Sequence, residues 1–330
     1  MIELLQEKNN LDSSSICFDI GRFLDLSFPQ KIKHMVNIEL KEHSYMPKTD
    51  DPLSDWVASV ATPAFKALAK VNGEKKIFCT VGTGAGLDAL AAIEIFNLDK
   101  VIITDLHEDV VENARLNIVK NIAKKNTVEV IALAGDLLTP VLDINEKIDL
   151  IYENLPNIPT FDNIDVEQGQ NSSTYIEKRN EFVPSFISKY LITLHYLALI
   201  EAKNLISSSG DILSVIGGRI PIKVILDTSE LAGYTGAIHL ITWKKQSEPE
   251  DVINGYLEWE NEGFGPFHFY PIEKLEEVFH ENRYYTGNKY ALQIEEKLSP
   301  FILSPQEALS YIKHGKEVGH TVVVLRSTLK

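Results

Sequence analysis

Three glycines at alternate positions are the clearest chemical signal in this sequence of 330 residues. The run Thr80-Val81-Gly82-Thr83-Gly84-Ala85-Gly86 stands between a short apolar stretch and an Ala-rich one. Glycine lets the backbone turn sharply and lets a ligand approach without meeting a Cβ atom. A helix that follows such a loop also offers free N–H groups. The run predicts a ligand-binding loop, with a purely structural turn as the alternative.

Two aspartates follow the next two apolar stretches. Asp105 comes about 19 residues after Gly86, where a carboxylate can accept hydrogen bonds from both hydroxyls of a ribose. Asp136 follows Gly135 and could accept a hydrogen bond from the amino group of an adenine. Because the carboxyl ends of parallel strands meet at one edge of a sheet, the loop and the two aspartates together predict a nucleoside pocket.

Alternating apolar and amphipathic stretches predict the elements that position these residues. Predicted strands are residues 77–81, 101–104, 127–133, 148–152, 211–216, 239–243 and 321–325, and predicted helices are residues 87–96, 108–122 and 187–206. Residues 207–210, Ser-Ser-Ser-Gly, predict a turn. Strands that alternate with helices indicate an α/β fold with a doubly wound, mostly parallel, seven-stranded sheet.

The same pattern predicts how the chain is organised. Residues 1–60 show no clean period and are expected to form an N-terminal helical cap. Residues 61–245 form the predicted core. Residues 246–319 are predicted to be an insertion that caps the substrate, and residues 320–330 a final strand that returns to the sheet, since parallel sheets often carry one antiparallel strand. A separate small C-terminal domain is the alternative.

Composition narrows the classes of function. The chain has 32 Lys and Arg against 47 Asp and Glu, a formal charge of −15, which argues against nucleic-acid partners and anionic membranes. The absence of a long apolar run predicts no membrane span, and the acidic start predicts no signal peptide; we therefore expect a cytoplasmic protein. Two cysteines and nine histidines without ligand spacing predict no metal site.

The glycine loop with Asp105 and Asp136 resembles the class I S-adenosylmethionine-dependent methyltransferases, which have a Rossmann-like sheet. The resemblance implies S-adenosyl-L-methionine as cofactor and S-adenosyl-L-homocysteine as product. It implies cofactor contacts from the residues Thr80, Gly82, Thr83, Gly84, Gly86, Asp105, Leu106, Asp136, Leu137 and Asn154. That family usually has an acidic residue two positions before the first glycine, and this chain has Thr80 there.

The stretch after the fourth strand, Tyr152-Glu153-Asn154-Leu155-Pro156-Asn157, resembles the Asn-Pro-Pro-Tyr motif of amide and amino methyltransferases, which include release-factor glutamine methyltransferases. The resemblance implies catalytic roles for Asn154, Pro156 and Tyr152. The aromatic residue that would stack on a planar acceptor is replaced by Asn157. A proline-containing turn without a catalytic role is the alternative.

A further resemblance, to the N-terminal region of plant methionine S-methyltransferases, spans roughly residues 50–328. It is carried by Asp55-Trp56, Leu155-Pro156-Asn157-Ile158, Asn171-Ser172-Ser173, Gly217-Gly218-Arg219 and His320-Thr321-Val322. It implies a small amino-acid acceptor, best represented by the sulfur of methionine, with substrate contacts from Glu153, Asn157, Tyr175 and Arg219.

The positive charge of the product in that reaction indicates which residue types could contact the substrate. Methyl transfer to a thioether forms a sulfonium cation, which aromatic faces and carboxylates stabilise, and Arg219 could bind the carboxylate of an amino acid. A surface ion pair is the alternative for Arg219, and His195 is expected to be a core histidine. Methylation of a protein glutamine or similar amide, or cofactor binding without catalysis, are the alternative functions.

Overall fold

The structure is a computed structural model that describes residues 14–41, 45–160 and 174–330. Asn171, Ser172 and Ser173 of the last resemblance lie outside the described residues. Within the described ranges, no helix is long and apolar enough to cross a membrane.

The first described residues form a two-stranded antiparallel ribbon, where the sequence analysis expects a helical cap. Strand β1 (Ser14–Asp19) leads through the short helix α1 (Ile20–Phe23) to strand β2 (Met35–Leu40). Alternate residues of β2 are buried, and this period of two is the signal of a strand that faces a core on one side. The helical expectation is therefore wrong for this segment.

Polar side chains of a later helix hold the ribbon in place. Asn117 accepts the N–H of Glu39 at 2.9 Å and donates to its carbonyl at 2.8 Å, and Asn121 makes the same pair of bonds with Asn37 at 3.1 and 2.9 Å. Two buried amides thus bond to the backbone of β2 at Asn37 and Glu39, in the way that a second neighbouring strand would.

The first half of the sheet alternates strands with helices as the sequence predicts. After a 3₁₀ turn (Pro52–Ser54), the π-helical turn Val57–Ala61 runs into α2 (Thr62–Val71). The elements that follow are β3 (Ile77–Val81), α3 (Leu87–Ile95), β4 (Lys100–Asp105), α4 (Glu108–Asn121), β5 (Glu129–Ala134), a 3₁₀ turn (Thr139–Val141) and β6 (Ile148–Glu153).

The second half departs from prediction in two places. Its elements are β7 (Ile158–Pro159), β8 (Tyr175–Ile176), α5 (Ser185–Lys189), α6 (Thr193–Ala202), β9 (Ile206–Gly218), α7 (Ile222–Leu231) and β10 (Tyr234–Lys245). The single helix predicted over residues 187–206 is wrong, because Leu191 has a left-handed backbone (φ 55°) that ends one helix before the next begins. The turn predicted at residues 207–210 is also wrong, since β9 runs through it with a register shift against β6.

The chain between β10 and the last strand is mainly helical. It comprises α8 (Pro249–Asn261), β11 (Tyr270–Pro271), α9 (Ile272–Val278), α10 (Asn288–Leu298), a 3₁₀ turn (Ser299–Phe301) and α11 (Pro305–Lys313), and it leads to β12 (Val318–Leu329). This is the insertion before the last strand that the sequence predicts.

The seven long strands form one sheet in the order β5-β4-β3-β6-β9-β12-β10, and β11 pairs with the start of β12. All are parallel except β12, which is antiparallel to both β9 and β10. The predicted doubly wound α/β sheet is confirmed. The strand order reverses between β3 and β6, which is the place where open sheets of this kind bind ligands.

At the end of the sheet opposite the glycine loop, a buried carboxylate links neighbouring segments of the chain. Asp211 is fully buried and pairs with Lys75 at 2.7 Å and Arg326 at 2.5 Å. Asn72 at the end of α2 also donates to it. One acidic side chain thereby joins β9, β12 and the segment that leads into β3.

Candidate functional site

The glycine loop has the backbone that its sequence requires. Gly82, Gly84 and Gly86 all have positive φ angles, at 70°, 53° and 84°, which other residues adopt only with strain. The N–H groups of Gly82 and Thr83 donate to the carbonyl of Thr104 at 2.9 and 3.0 Å. A Cβ on Gly86 would lie 3.1 Å from a side-chain atom of Ile118, so this glycine lets α3 pack closely on α4.

Asp105 lies beside this loop at the end of β4. Its Oδ2 atom accepts the N–H of Gly84 at 3.1 Å, and its Oδ1 atom accepts the N–H of His107 at 3.4 Å. Burial raises the pKa of the carboxyl group. Leu106, the next residue, is exposed. The carboxylate therefore faces the loop, as the sequence analysis predicts, and keeps further lone pairs for a ligand.

Asp136 stands at the neighbouring strand end but is not free. Arg179 donates to its two oxygens at 3.0 and 2.6 Å in a bidentate pair, and also pairs with Glu181. The N–H of Gly135 donates to the carbonyl of Asp105 at 2.9 Å, which joins the two aspartate positions. Leu137 is buried, and its carbonyl accepts the hydroxyl of Thr104 at 3.0 Å. Sequence alone gave no sign of the arginine.

A carboxylate that the sequence analysis missed lies under the loop. Asp88, the second residue of α3, is buried and accepts hydrogen bonds from the hydroxyls of Thr80 and Thr83 and from the N–H of Ala89. Burial raises its pKa from the ordinary value of 3.8 to about 6. The only sequence signal was an acidic residue in the first turn of a mostly apolar helix, which is also what a helix N-terminus favours.

The loop after β6 contacts the glycine loop directly. A Cβ on Gly82 would lie 3.3 Å from the Cδ2 atom of Leu155. Asn154 and Pro156, on either side, are partly exposed. Among the described residues, the Asn154 side chain has no hydrogen-bond partner, so its amide can serve a ligand. Tyr152 is buried below, with its ring 5.0 Å from that of Phe65.

Glu153 and His195 form a buried pair at the end of the same strand. The Nδ1 atom of His195 lies 2.9 and 2.8 Å from the two carboxylate oxygens of Glu153, and both side chains are almost fully buried. His195 is thus a core histidine with its partner, as expected. Glu153 engages another residue of the chain, and its contact with a substrate stays a prediction.

Arg219, at the end of β9, is buried rather than on the surface. Its guanidinium donates to the Oε1 atom of Gln246 at 2.6 and 3.2 Å and to the hydroxyl of Tyr256 at 3.4 Å. It also lies 5.1 Å from the centroid of the Tyr256 ring. Among the described residues no carboxylate pairs with it, and burial lowers the pKa of this group. The surface ion pair considered as the alternative is therefore wrong.

The structure brings three of the four predicted substrate residues together around Tyr256. Asn157 donates to the Tyr256 hydroxyl at 2.8 Å, and Arg219 donates to the same oxygen. Tyr175 packs on Gly255 one position away, where a Cβ would come within 2.8 Å of its hydroxyl oxygen. Two further residues of this cluster were not predicted: Gln246, which directly follows β10, and Tyr256, which lies in α8.

The Asp55-Trp56 pair lies near the same edge. The carboxylate of Asp55 accepts the N–H groups of Val57 and Ala58 at 2.7 and 3.0 Å, which caps the following turn. The ring centroid of Trp56 is 6.1 Å from that of His320, and the Nζ atom of Lys244 lies 4.9 Å from the Trp56 centroid. Lys244 is buried and donates to the carbonyl of Ser54, and burial lowers its pKa to about 7.

No protein-family profile and no curated protein matches this sequence. Among solved structures, it is similar to a ribosomal protein L11 methylase of Lactobacillus delbrueckii subsp. bulgaricus, with 15% identity, a TM-score of 0.35, and coverage of 56% of this chain and 70% of that one. It is also similar to the precorrin 8W decarboxylase of Methanobacterium thermoautotrophicum, with 13% identity, a TM-score of 0.33, and coverage of 56% and 75%.

A third similar structure is the cyclopropane synthase MmaA2 of Mycobacterium tuberculosis, with 12% identity, a TM-score of 0.37, and coverage of 82% of this chain and 84% of that one. Identities and TM-scores this low establish neither a family nor a reaction for this chain. Its function has to follow from its own residues.

Proposed function

We propose that this chain is an S-adenosylmethionine-dependent methyltransferase whose acceptor is a small molecule with a carboxylate group, and that the sulfur of methionine is its acceptor atom. The observation that carries the acceptor class is Arg219. An arginine stays charged at neutral pH, and a buried charge without a counter-charge is costly. A carboxylate bound there would supply the missing counter-charge through a bidentate pair.

The residues around the glycine loop fit the proposed cofactor. The loop offers backbone without Cβ atoms at Gly82 and Gly84, and Leu155 packs against it. Asp105 would hold the ribose, since a carboxylate has about four acceptor positions and two here bind backbone N–H groups. Asp136 keeps acceptor positions beside its bonds to Arg179 and would bind the adenine amino group.

The acceptor would lie across the loop after β6 from the cofactor. Leu155 contacts the glycine loop, and Asn157, two residues later, shares the Tyr256 hydroxyl with Arg219. Residues 154–157 thus connect the cofactor side of the site, at the glycine loop, with the acceptor side, at Arg219. A carboxylate held by Arg219 would fix one end of a small acceptor on the far side of that loop.

When bound, S-adenosylmethionine supplies an electrophilic methyl group on a sulfonium. The chain's contribution is then alignment, which can account for much of the barrier reduction in a displacement of this kind. Arg219 and Asn157 would orient the acceptor, and Asn154 would position it with its free amide. A thioether carries no proton, so this reaction needs no general base. The faces of Tyr175 and Tyr256 would stabilise the cationic product.

One observation favours a second candidate, an amide or amine acceptor. The amide oxygen of Asn154, which has no hydrogen-bond partner among the described residues, is the group that would accept a hydrogen bond from a planar NH₂. The replacement of an aromatic residue by Asn157 counts against this candidate, because no ring follows Pro156 to stack on such a group.

Calorimetric titration with S-adenosylmethionine and S-adenosylhomocysteine, followed by transfer of a labelled methyl group, tests the proposal. We expect binding of both compounds and transfer to free methionine. Transfer to glutamine-containing peptides alone would favour the second candidate, and binding without transfer to any acceptor would indicate a non-catalytic protein. Absence of binding would refute the cofactor assignment.

Two variants separate the halves of the site. Asp105→Ala should weaken cofactor binding by about 1.5–3 kcal/mol, the scale of hydrogen bonds to a charged group. Arg219→Met should abolish transfer to methionine while cofactor affinity stays within about twofold. The matched control is Arg115→Met, which removes a partly exposed arginine that pairs with Glu112. Cofactor binding that is unchanged in Asp105→Ala would contradict the pocket assignment.

A further inference from the structure

The main sheet has two edge strands, and the chain covers the outer side of one of them, β10. Ile241 of β10 exchanges two backbone hydrogen bonds with Tyr285, at 2.8 and 3.0 Å, and the carbonyl of Ile238 accepts the N–H of Gly287 at 2.9 Å. Among the described residues, the other edge strand, β5, has no such cover and pairs only with β4. Open edges are templates for further strands, and natural proteins usually block them.

The outer side of β5 presents a row of free backbone groups. The N–H of Glu129 donates to the carbonyl of Asp99 at 3.0 Å, so the backbone of Glu129 faces β4. Because backbone groups alternate along a strand, Val128, Val130 and Ala132 direct their N–H and C=O groups away from β4. No other segment in the described part of the chain bonds to these groups.

The side chains of this strand are incompletely covered. Residues 130–134, Val-Ile-Ala-Leu-Ala, contain no charge and no proline, which are the usual protections of a strand edge. Val130 and Ala132 pack on the side of α4, Ile131 and Leu133 pack on the opposite side, and all four stay partly exposed. A further strand beside β5 would therefore bury apolar area on both faces of the sheet.

Helix α4 carries an exposed apolar stripe beside this edge. Leu116 and Val119 are 49% and 51% exposed, and residues three apart lie on one face of a helix. Val119 and Val128 line an open groove of about 570 Å³ between the end of α4 and the start of β5. The helix stripe and the strand edge are thus one continuous surface, the β5 face, which comprises residues 116, 119 and 128–134.

The charges along α4 suit a second copy of the same surface. Glu108 lies in the first turn of the helix, Lys124 and Lys125 follow its end, and all three are exposed. The ion pairs that α4 makes within the chain use Glu112 and Lys120 instead. A copy turned by a twofold axis brings the acidic start of its helix beside the basic end of the first, so this pattern of charge is complementary to itself.

We propose that the β5 face joins two copies of this chain, with the two β5 strands antiparallel across a twofold axis. With the axis at Val130, Ala132 of one copy lies opposite Val128 of the other, and outward-facing residues exchange both backbone hydrogen bonds, as in an antiparallel ladder. The two α4 helices then lie antiparallel on one face of the joined sheet, with Leu116 and Val119 between them. This inference does not rest on the proposed function.

Light scattering coupled to gel filtration tests the dimer. We expect the unsubstituted protein to have twice the mass of one chain. Leu116→Lys places two charges at the centre of the interface, because a twofold interface contains each residue twice, and it should raise the dissociation constant of the dimer roughly 100-fold. The matched control is Leu292→Lys, which changes a leucine that is 45% exposed on α10, next to the other edge strand. Its dimer should be unchanged.

A pair of charge reversals tests the antiparallel arrangement of the helices. Glu108→Lys alone should weaken the dimer, because it places a lysine beside Lys124 of the second copy. The double substitution Glu108→Lys with Lys124→Glu exchanges the charges at both ends and should restore the affinity. A double variant that stays as weak as the single one would contradict the arrangement.

Two measurements test the pairing of the strands. The N–H of Ala132 faces away from β4, so Ala132→Pro removes no hydrogen bond within the chain but interrupts the ladder between copies, and it should yield a monomer. In the unsubstituted protein, the amides of Val130 and Ala132 should be protected from hydrogen exchange where the dimer forms and should exchange faster on dilution.

Three results would overturn the proposal. The first is an unsubstituted protein that stays a single chain at about 0.1 mM. The second is a dimer whose affinity survives Leu116→Lys, because association would then use another surface. The third is a dimer in which the amides of β5 exchange at the same rate before and after dilution, because the strands would then not pair.

Discussion

Removal of the Asp88 charge should make the protein more stable at neutral pH. The pKa of this carboxyl group is about 6 in the folded chain against an ordinary value of 3.8. Each unit of difference corresponds to about 1.36 kcal/mol, so the ionised side chain lowers the free energy of unfolding by about 3 kcal/mol. Asn has no charge to bury, and Asp88→Asn should therefore gain up to about 3 kcal/mol at pH 7.

The pH dependence identifies the cause. Between pH 4 and 6 the unfolded chain releases its proton from Asp88 before the folded chain does, and stability falls as pH rises through this window. Below about pH 4 both states hold the proton, and the two proteins should then be equally stable apart from the substitution itself. Above about pH 6 the difference should be constant.

Urea denaturation of both proteins at a series of pH values between 4 and 8 measures this difference. The other carboxyl groups should titrate alike in the two proteins, so their contributions cancel in the difference between the two free energies of unfolding. Asp109→Asn, which changes an exposed residue, should show no such window. An Asp88→Asn protein less stable than the original at pH 7 would refute the reasoning, because the hydrogen bonds from Thr80 and Thr83 would then outweigh the cost of burial.

Three further results are expected. Asp211→Ala leaves Lys75 buried without its partner and should cost about 3–5 kcal/mol of stability in urea denaturation; a loss below 1 kcal/mol would contradict the role of this carboxylate. Asn117→Ala removes three hydrogen bonds and should speed hydrogen exchange of the β2 amides, whereas unchanged exchange would show that the ribbon is held otherwise. Burial lowers the pKa of Lys244 from 10.5 to about 7, so between these pH values only the unfolded chain keeps the proton, and the free energy of unfolding should rise with pH. In urea denaturation the Lys244→Met protein should lack this rise. The same pH profile in both proteins would contradict the role given to Lys244.

Sequence predicted the regular part of this fold because hydrophobic period and turn residues determine it. The strand predicted at residues 77–81 has the bounds found in the structure. The break at Leu191 could not be predicted, since a left-handed leucine follows from packing and not from local preference. The ribbon strand β2 was missed because its six residues are too short a stretch to stand out from the irregular pattern around them, and its hydrogen bonds to Asn117 and Asn121 join segments distant in the sequence.

The candidate site also contains residues that the local sequence pattern predicted and residues that it could not predict. Residues of the loop and the strand ends, such as Gly82 and Asp105, follow from local pattern and from the geometry of parallel sheets. Other contacts of the site join segments that are distant in the sequence. They are the ion pair of Arg179 with Asp136 and the hydrogen bonds that the Tyr256 hydroxyl accepts from Asn157 and Arg219. No spacing in one sequence encodes such pairs, so they appear only when the chain is folded.

The place of β12 in the sheet sets an order of assembly. Strands β3 to β6 and β9 can pair as they leave the ribosome, but β10 has no neighbour until β12 has been made, because β12 lies between β9 and β10. Gln246 and Tyr256, which hold Arg219, belong to the stretch that waits with β10. Such late, distant pairing is slow and leaves strand edges open meanwhile. A nascent chain would therefore complete the side with the glycine loop first, and would close the side with Arg219 only when the last of the seven long strands of the main sheet has been made.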